Sequence, residues 1–222
     1  MHAVTGGEAW QRRVVAIDGP AGSGKSTVAR ALAARLGLRH LDTGAMYRAV
    51  AFAALRQGVD PADEEPVARI AREAALVVDG DRVTVDGVDA TAAIRGPDVT
   101  GVVSAVAAHP SVRAELRRRQ REWAEEMGGG VVEGRDIGTV VVPGAGLKAY
   151  LTARPEVRAA RRSREMADAG HADVAADLAR RDAADSGRAD SPLRAAEDAV
   201  VVDTSDRSVE DIVDELARRF PG

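Results

Sequence analysis

The sequence predicts an α/β fold built on a doubly wound, mostly parallel sheet, and three observations predict it. Short apolar runs that read as strands alternate with amphipathic runs that read as helices, a glycine-rich loop joins the first strand to the first helix, and one small antiparallel meander interrupts the alternation. The first strand is Val14-Val15-Ala16-Ile17, continuously apolar as a strand buried on both faces must be. It runs into Gly19-Pro20-Ala21-Gly22-Ser23-Gly24. From Lys25 to Leu36 the apolar Val28, Leu32 and Leu36 recur every fourth residue, and Gly37 supplies a helix stop. A second helix is expected over Ala45 to Gln57, ending at Gly58, and a third after Pro61.

Between residues 76 and 95 the period changes. Leu76-Val77-Val78, Arg82-Val83-Thr84-Val85 and the run from Val88 are short and separated by Asp79-Gly80 and Asp86-Gly87, which predicts antiparallel hairpins. Helical sequence resumes after Pro97 and again from Pro110 to Met127. Strands are then expected at Gly130 to Glu133, Leu147 to Leu151 and Ala199 to Val202. A last helix carries Val209, Ile212, Val213, Leu216 and Phe220 on one stripe, with Ser208 as its N-cap.

Composition excludes several classes. A length of 222 residues suits one domain with insertions. A net charge of −4 argues against a protein that works on nucleic-acid backbone. No Cys is present, so disulfides and thiolate metal sites are excluded, and His2, His40, His109 and His171 are spaced as isolated structural histidines. No apolar run is long enough to span a membrane, and MHAVTGGEAWQRR offers no signal-peptide core, so a cytoplasmic monomer without membrane or nucleic-acid partners is expected. Only Lys25 and Lys148 among the 31 basic residues are lysine, which gives weight to a lysine at a motif position.

Lys25 is at such a position. Gly19 through Ser26 fits G-x-x-x-x-G-K-[ST] between a predicted strand and a predicted helix, the context a P-loop requires. In such a loop backbone N–H groups and the helix N-terminus face phosphate, Lys25 reaches the β- and γ-phosphates, and the Ser26 hydroxyl serves Mg²⁺. The expected ATP-binding set is Gly19, Pro20, Ala21, Gly22, Ser23, Gly24, Lys25, Ser26 and Thr27. Asp18 either orients Mg²⁺ waters or caps the loop; the sequence does not separate the two.

Three further segments narrow the class: Asp42-Thr43-Gly44-Ala45-Met46-Tyr47-Arg48, Gly134-Arg135-Asp136-Ile137-Gly138-Thr139, and Arg181-Asp182-Ala183-Ala184-Asp185-Ser186-Gly187-Arg188. With the P-loop, they make the chain from about residue 13 to 219 resemble the bacterial cytidylate kinases. The resemblance implies one P-loop kinase domain: a core at about 13–58 and 104–222, an inserted nucleotide-binding subdomain at about 59–103 and a short lid at about 154–168. It implies transfer of the γ-phosphoryl group of ATP to CMP or dCMP with Mg²⁺. It further implies that Thr43, Arg48, Arg135 and Arg188 serve the acceptor side with its phosphate, that Ser104, Arg113 and Asp136 read the cytosine, and that Arg181 and Asp185 contact the ribose. Arg158, Arg161 and Arg162 fall in the lid, and Lys25, Arg135, Arg158, Arg162 and Arg188 form the catalytic set. The chain departs from the family pattern at Glu133, where Asp is common, which touches how Mg²⁺ waters are held.

The chemistry of such a transfer agrees. Two nucleotides bring about six negative charges into one cleft, and Arg, always charged and bidentate towards phosphate, suits their neutralisation. A phosphate acceptor needs no general base. Competing readings are another small-molecule P-loop kinase, acting on UMP, AMP or shikimate, and a nucleotide-dependent switch. A chain without Asn cannot carry the N-K-x-D base-reading motif of the switch class. Arg117-Arg118-Arg119-Gln120-Arg121 is read as a solvated helix face, Asp182 as a surface residue, and the lid arginines as having nothing to order them without nucleotide.

Overall fold

The computed structural model describes residues 6–165, 171–188 and 190–221, so the end of the expected lid, 166–168, lies outside the described residues. The chain forms two compact units. One comprises the chain up to His40 together with the chain from Ala124; the other is Leu41–Trp123.

In the first unit the strands are β1 (Val14–Asp18), β6 (Gly130–Gly134), β7 (Leu147–Thr152) and β8 (Val200–Asp203), and the helices α1 (Lys25–Leu36), α6 (Pro155–Glu165), α7 (His171–Ser186) and α8 (Val209–Arg219). A 3₁₀ segment, Gly6–Arg13, leads into β1. With β2 (His40–Asp42), at which the chain passes from one unit to the other, the sheet order is β2-β6-β1-β7-β8. The expected parallel sheet is present: β1 pairs in parallel with both β6 and β7, and β7 with β8. Every residue of β1 and of β6 is buried, which is why their sequences do not alternate. Val15, Ile17, Val131, Ala149, Leu151 and Val202 form one core with Val28 and Leu32 of α1 and Ile212, Val213 and Leu216 of α8. Each such Leu, Ile or Val contributes about 1.5–3 kcal/mol of burial.

The register positions the site. Asp18 stands beside Gly134 on one side and Tyr150 on the other, so β1 and β6 end level with one another and β7 runs two residues further, to Thr152. Strand order reverses at β1, and the outer carboxyl edge at such a reversal is where open α/β sheets bind ligands. The glycine-rich loop, the Gly134-Arg135-Asp136 segment and the lid helix α6 all leave from that edge.

The second unit holds α2 (Thr43–Arg56), α3 (Glu64–Glu73), α4 (Pro97–Val106) and most of α5 (Pro110–Glu126). Its antiparallel sheet is β3 (Leu76–Asp79), β4 (Arg82–Val85) and β5 (Val88–Asp89), as the two Asp-Gly pairs predict. The β4–β5 turn has positive φ at both Asp86 (51°) and Gly87 (77°), the pair a type I′ hairpin demands. Helix α2 begins two residues before the expected Ala45, because the Asp42 carboxylate accepts from the Ala45 amide at 3.0 Å and so caps the helix. The arginine run of α5 is not a uniformly solvated face. Gln120 is buried, and Arg119 donates to the carbonyls of Arg72 (2.8 Å) and Ala74 (3.0 Å), closing the C-terminus of α3.

Helix α8 starts as its sequence predicts: the Ser208 hydroxyl accepts from the Asp211 amide at 3.1 Å. Replacing Ser208 by Ala is expected to destabilise the protein by about 1 kcal/mol. Denaturant unfolding reads this, and a loss above about 3 kcal/mol would show that the cap does more than satisfy one amide.

Candidate active site

The glycine-rich loop owes its path to what lies behind it. Gly19 has φ 148°, and a Cβ there would stand 2.0 Å from the Leu151 carbonyl oxygen; a Cβ on Gly22, φ 74°, would meet the Arg158 backbone at 2.9 Å. Gly24, left-handed at φ 83°, is the N-cap of α1. The loop is therefore pressed against β7 and α6, and its curvature is set before any phosphate arrives.

Lys25 and Ser26, the first residues of α1, have separate partners. Lys25 is buried and arches over its own loop, Nζ donating to the Pro20 carbonyl at 2.6 Å. The Ser26 hydroxyl donates to Glu133 Oε2 at 2.8 Å, and the other Glu133 oxygen lies 3.0 Å from His40 Nε2. Burial pushes the Glu133 carboxyl up, but the His40 hydrogen bond, the Lys25 charge and the Ser26 hydroxyl outweigh it and hold the group below its usual range. At this one position the chain bears Glu where its resemblance leads one to expect Asp, and the extra methylene spans the gap to Ser26.

Asp18 takes neither of the two expected roles and caps a turn outside the glycine-rich loop. Its oxygens accept from the backbone N–H groups of Ile137 and Gly138, both at 2.8 Å, and so cap the π-helical turn Ile137–Val141 that follows Arg135 and Asp136. Burial pushes the Asp18 carboxyl up from its ordinary 3.8 to about 6, with the Asp136 charge adding to the rise and the two amides and Lys25 opposing it.

The arginines of this unit rest on carboxylates. Arg135 Nε donates to Asp185 Oδ2 at 2.8 Å, and Arg188 pairs with the other Asp185 oxygen. Arg181, on the same helix, pairs with Asp177 at 3.0 Å, and burial lowers its pKa without removing its charge. Arg158 donates to the P-loop carbonyl of Ala21 at 3.2 Å and pairs with Asp182. Arg161 holds the hydroxyl (2.8 Å) and carbonyl (2.7 Å) of Thr204, whose hydroxyl in turn donates to the Ser23 carbonyl at 3.0 Å. Arg162 is half-buried on α6. These contacts correct two readings: Asp182 is not a bystander, and the arginines at 158 and 161 have protein partners that order them.

In the second unit Arg48 donates to the Ile94 carbonyl (3.0 Å) and the Thr100 hydroxyl (2.9 Å). Arg113 is buried, with its guanidinium carbon 6.0 Å from the centre of the Tyr47 ring. Thr43 is buried at the start of α2, and Ser104 is half-buried on α4. The sequence-predicted residues thus divide: the P-loop, Arg135, Asp136, Arg158, Arg162, Arg181, Asp185 and Arg188 belong to the first unit, and Thr43, Arg48, Ser104 and Arg113 to the second.

A glycine-rich loop at a helix N-terminus, one buried lysine, and a hydroxyl held by a carboxylate are the kinds of groups that phosphate and a cation would need. Among the described residues no group of three or more His, Asp or Glu is arranged to hold a metal ion.

The family model described as cytidylate kinase matches residues 15–221. The chain belongs to the cytidylate kinase family. It is 54% identical to a cytidylate kinase of Mycolicibacterium paratuberculosis over 91% of this chain and 92% of that one, and 50% identical to a cytidylate kinase of Nocardia farcinica over 92% of each. Among solved structures, a gluconokinase from Sinorhizobium meliloti 1021 covers 95% of the chain and is covered over 92% of its own length, with a TM-score of 0.51 at 13% identity, a likeness of fold alone. The arginine cluster of α6 and the Gly134-Arg135-Asp136 segment are features the sequence made legible. His40, Asp182 and Thr204 were not, because their partners are between 24 and 181 residues away along the chain.

Asp18 gives a pH-dependent expectation. An acid whose folded-state pKa stands above its unfolded value binds more protons when folded between those values. Its contribution to stability therefore falls as pH rises from about 4 to about 6, by about 3 kcal/mol, and is flat above. Carboxyl-carbon NMR of the folded protein should give a midpoint near 6 for Asp18, lower in Asp136→Asn and higher in Lys25→Met. A midpoint below 4 in wild type would mean that the two amides dominate burial.

Proposed function

We propose that the chain transfers the γ-phosphoryl group of ATP to CMP or dCMP, giving ADP and CDP or dCDP. The observation that carries this reading is the alignment of β1 and β6, which sets the end of the P-loop strand beside the Gly134-Arg135-Asp136 segment in a chain of the cytidylate kinase family. Relatives half identical over nine-tenths of the chain bear the name cytidylate kinase, which supports the same acceptor here.

Mg²⁺, when bound with ATP, would be held on the protein side through the Ser26 hydroxyl and would offset the charge that develops on the transferring phosphate. The chain does the rest. The P-loop amides and Lys25 hold the β- and γ-phosphates, and Ser26 offers its hydroxyl oxygen to the cation, with Glu133 rather than Asp18 as the carboxylate for its waters. Lys25 exchanges the Pro20 carbonyl, and Arg158 the Ala21 carbonyl, for phosphate oxygens. Such exchanges use charge already in place and need little reorganisation. Arg135 and Arg188 turn to the acceptor phosphate, Asp185 and Arg181 to its ribose, and Arg162 to the transferring group. For the second unit, the family resemblance assigns Thr43 and Arg48 to the acceptor phosphate and Ser104 and Arg113 to the cytosine. No residue need act as base, because an acceptor phosphate with a second pKa of about 6 is already mostly a dianion. An insert at 59–103 within the second unit would act as the acceptor-binding subdomain and 154–168 as the lid. The protein would work as a cytoplasmic monomer on small molecules, without nucleic-acid or membrane partners; among the described residues no helix is long and apolar enough to cross a membrane.

ADP formation measured with CMP, dCMP, UMP, AMP, shikimate and no acceptor tests the assignment. Activity is expected with CMP and dCMP; a preference for AMP or shikimate overturns it. Lys25→Ala should leave the fold intact and lower kcat by on the order of 10² or more, since a charge aimed at the transferring group is lost in the transition state. A folded variant within threefold of wild type would refute that role.

Asp136 should set base choice. Cytosine offers an amino donor at N4 where uracil offers an oxygen, so a carboxylate accepts from one and repels the other. Asp136→Ala is expected to lower the CMP/UMP ratio of kcat/KM by tenfold or more. If both activities fall together with the ratio kept, Asp136 supports the turn and does not read the base.

A further inference from the structure

His40 is the last residue of the chain before it enters the second unit, and its imidazole is only 7% exposed. No part of the P-loop or of the acceptor motifs includes it. Its Nε2 is 3.0 Å from Glu133 Oε1, and among the described residues its Nδ1 has no hydrogen-bond partner. With Ser26 donating to Oε2, the carboxylate accepts at Oε1 as well when Nε2 carries the ring proton, the tautomer that leaves the partnerless Nδ1 without a buried N–H. The ring is thus set in one tautomer and points one N–H at one carboxylate oxygen.

Glu133 passes that constraint on. Its backbone is fixed in β6, in register with Ile17, but its side chain has one rotatable bond more than the Asp expected there. With His40 on Oε1 and Ser26 on Oε2, both ends of the carboxylate are placed. A hydroxyl has one proton and two lone pairs, and the Ser26 proton is directed at Glu133. Its lone pairs are then turned away from Glu133, towards the side where a cation held by phosphate would bind. Imidazole and carboxylate partners behind a ligating atom commonly tune metal sites in this way.

We propose that His40 is a positioning residue of the metal-nucleotide site: through Glu133 it orients the Ser26 hydroxyl so that its oxygen, and not its proton, meets the Mg²⁺ of Mg·ATP. This rests on the reading of Ser26 as a Mg²⁺ ligand. His40 touches no reacting atom, and its effect reaches the nucleotide only when the metal is present.

The test is a calorimetric titration of wild type, His40→Leu and His40→Gln with Mg·ATP and, separately, with ATP in excess EDTA. His40→Leu fills the buried space without a donor and should bind Mg·ATP about tenfold more weakly, with affinity for metal-free ATP kept within twofold. His40→Gln, whose amide N–H can reach Glu133, should recover most of the loss, and the KM for CMP should not move in either variant. Melting temperatures establish that the variants are folded. The proposal is overturned if folded His40→Leu binds both forms of ATP like wild type, or loses both equally. Should His40→Leu not fold, His40→Gln decides: an ordinary preference for Mg·ATP upholds the proposal and its loss overturns it. Wild type that binds metal-free ATP as tightly as Mg·ATP also overturns it, together with the metal role of Ser26. Phosphorylation of CMP by wild type, assayed alongside, reads the acceptor assignment separately, since the binding titrations contain no acceptor.

Discussion

The first unit depends on a carboxylate that is almost fully removed from water. Asp18 closes the central strand, and its two oxygens take the amides of Ile137 and Gly138, 119 and 120 residues further on. An ionised group buried at this depth is tolerated only when its lone pairs are satisfied. Those two amides satisfy them, and the same bonds fix where the segment after β6 turns. Gly138 keeps this turn close to its neighbours: a Cβ would stand 3.1 Å from the Lys148 side chain and 3.4 Å from Asp18, so the lysine would have to give slightly. Arg135 and Asp136, just before the turn, inherit their backbone positions from a residue that belongs to the P-loop strand. The nucleotide-binding and acceptor-side segments of this unit are thus one piece of covalently distant but hydrogen-bonded backbone.

The second regularity is that cations meant for phosphate are kept beside carboxylates. Arg158 pairs with Asp182, and Arg135 and Arg188 share Asp185. A cluster of like charges on a small surface would otherwise repel itself and favour open conformations. Pairing removes that penalty and holds each guanidinium in one orientation. The cost appears on binding, because a phosphate must compete with a carboxylate already in place. For Asp185 the cost is partly returned if the released oxygens accept from sugar hydroxyls, so the same carboxylate can serve as partner before binding and as ligand contact after it. Arg161 differs: its partners are the hydroxyl and carbonyl of Thr204, and it anchors the base of α6 to the backbone of Ser23.

How much of this is legible in the sequence depends on the range of the physics. The helix from Lys25 to Leu36 was readable to the residue because its start is a glycine loop and its stop a left-handed Gly37. The three strands of the meander follow from Asp-Gly turns. Helix α2 was placed two residues late, since a capping aspartate inside a motif was read for its motif and not for its cap. Strand β2 is three residues long and has no period to detect, and α6 and α7 are so rich in Arg, Ala and Asp that an arginine cluster, not a helix, was the visible feature. Of the candidate site, the motif residues proposed to face nucleotide could be named in advance because each motif is local. Those that hold them in place could not: His40, Asp182 and Thr204 act across strands or between helices, and a single sequence carries no sign of which distant residue meets which.

The glycines of the loop show why motif and support should be separated. Gly19 and Gly22 are usually explained by the need for backbone to approach phosphate, yet here a Cβ at either would first strike protein, the Leu151 carbonyl or the Arg158 backbone. Their smallness is required by β7 and α6 behind the loop as much as by a ligand before it. A loop braced on its far side does not have to be ordered by the phosphate, so binding loses less conformational entropy and the amides meet the ligand already aimed. It follows that substitutions at these glycines disturb the sheet edge and the base of the lid together. Weaker nucleotide binding in such variants would report a displaced scaffold as readily as a lost contact. Lys25, whose side chain rests on a carbonyl of the loop itself, can be shortened without moving either neighbour, which makes it the cleaner reporter of charge at the transferring phosphate.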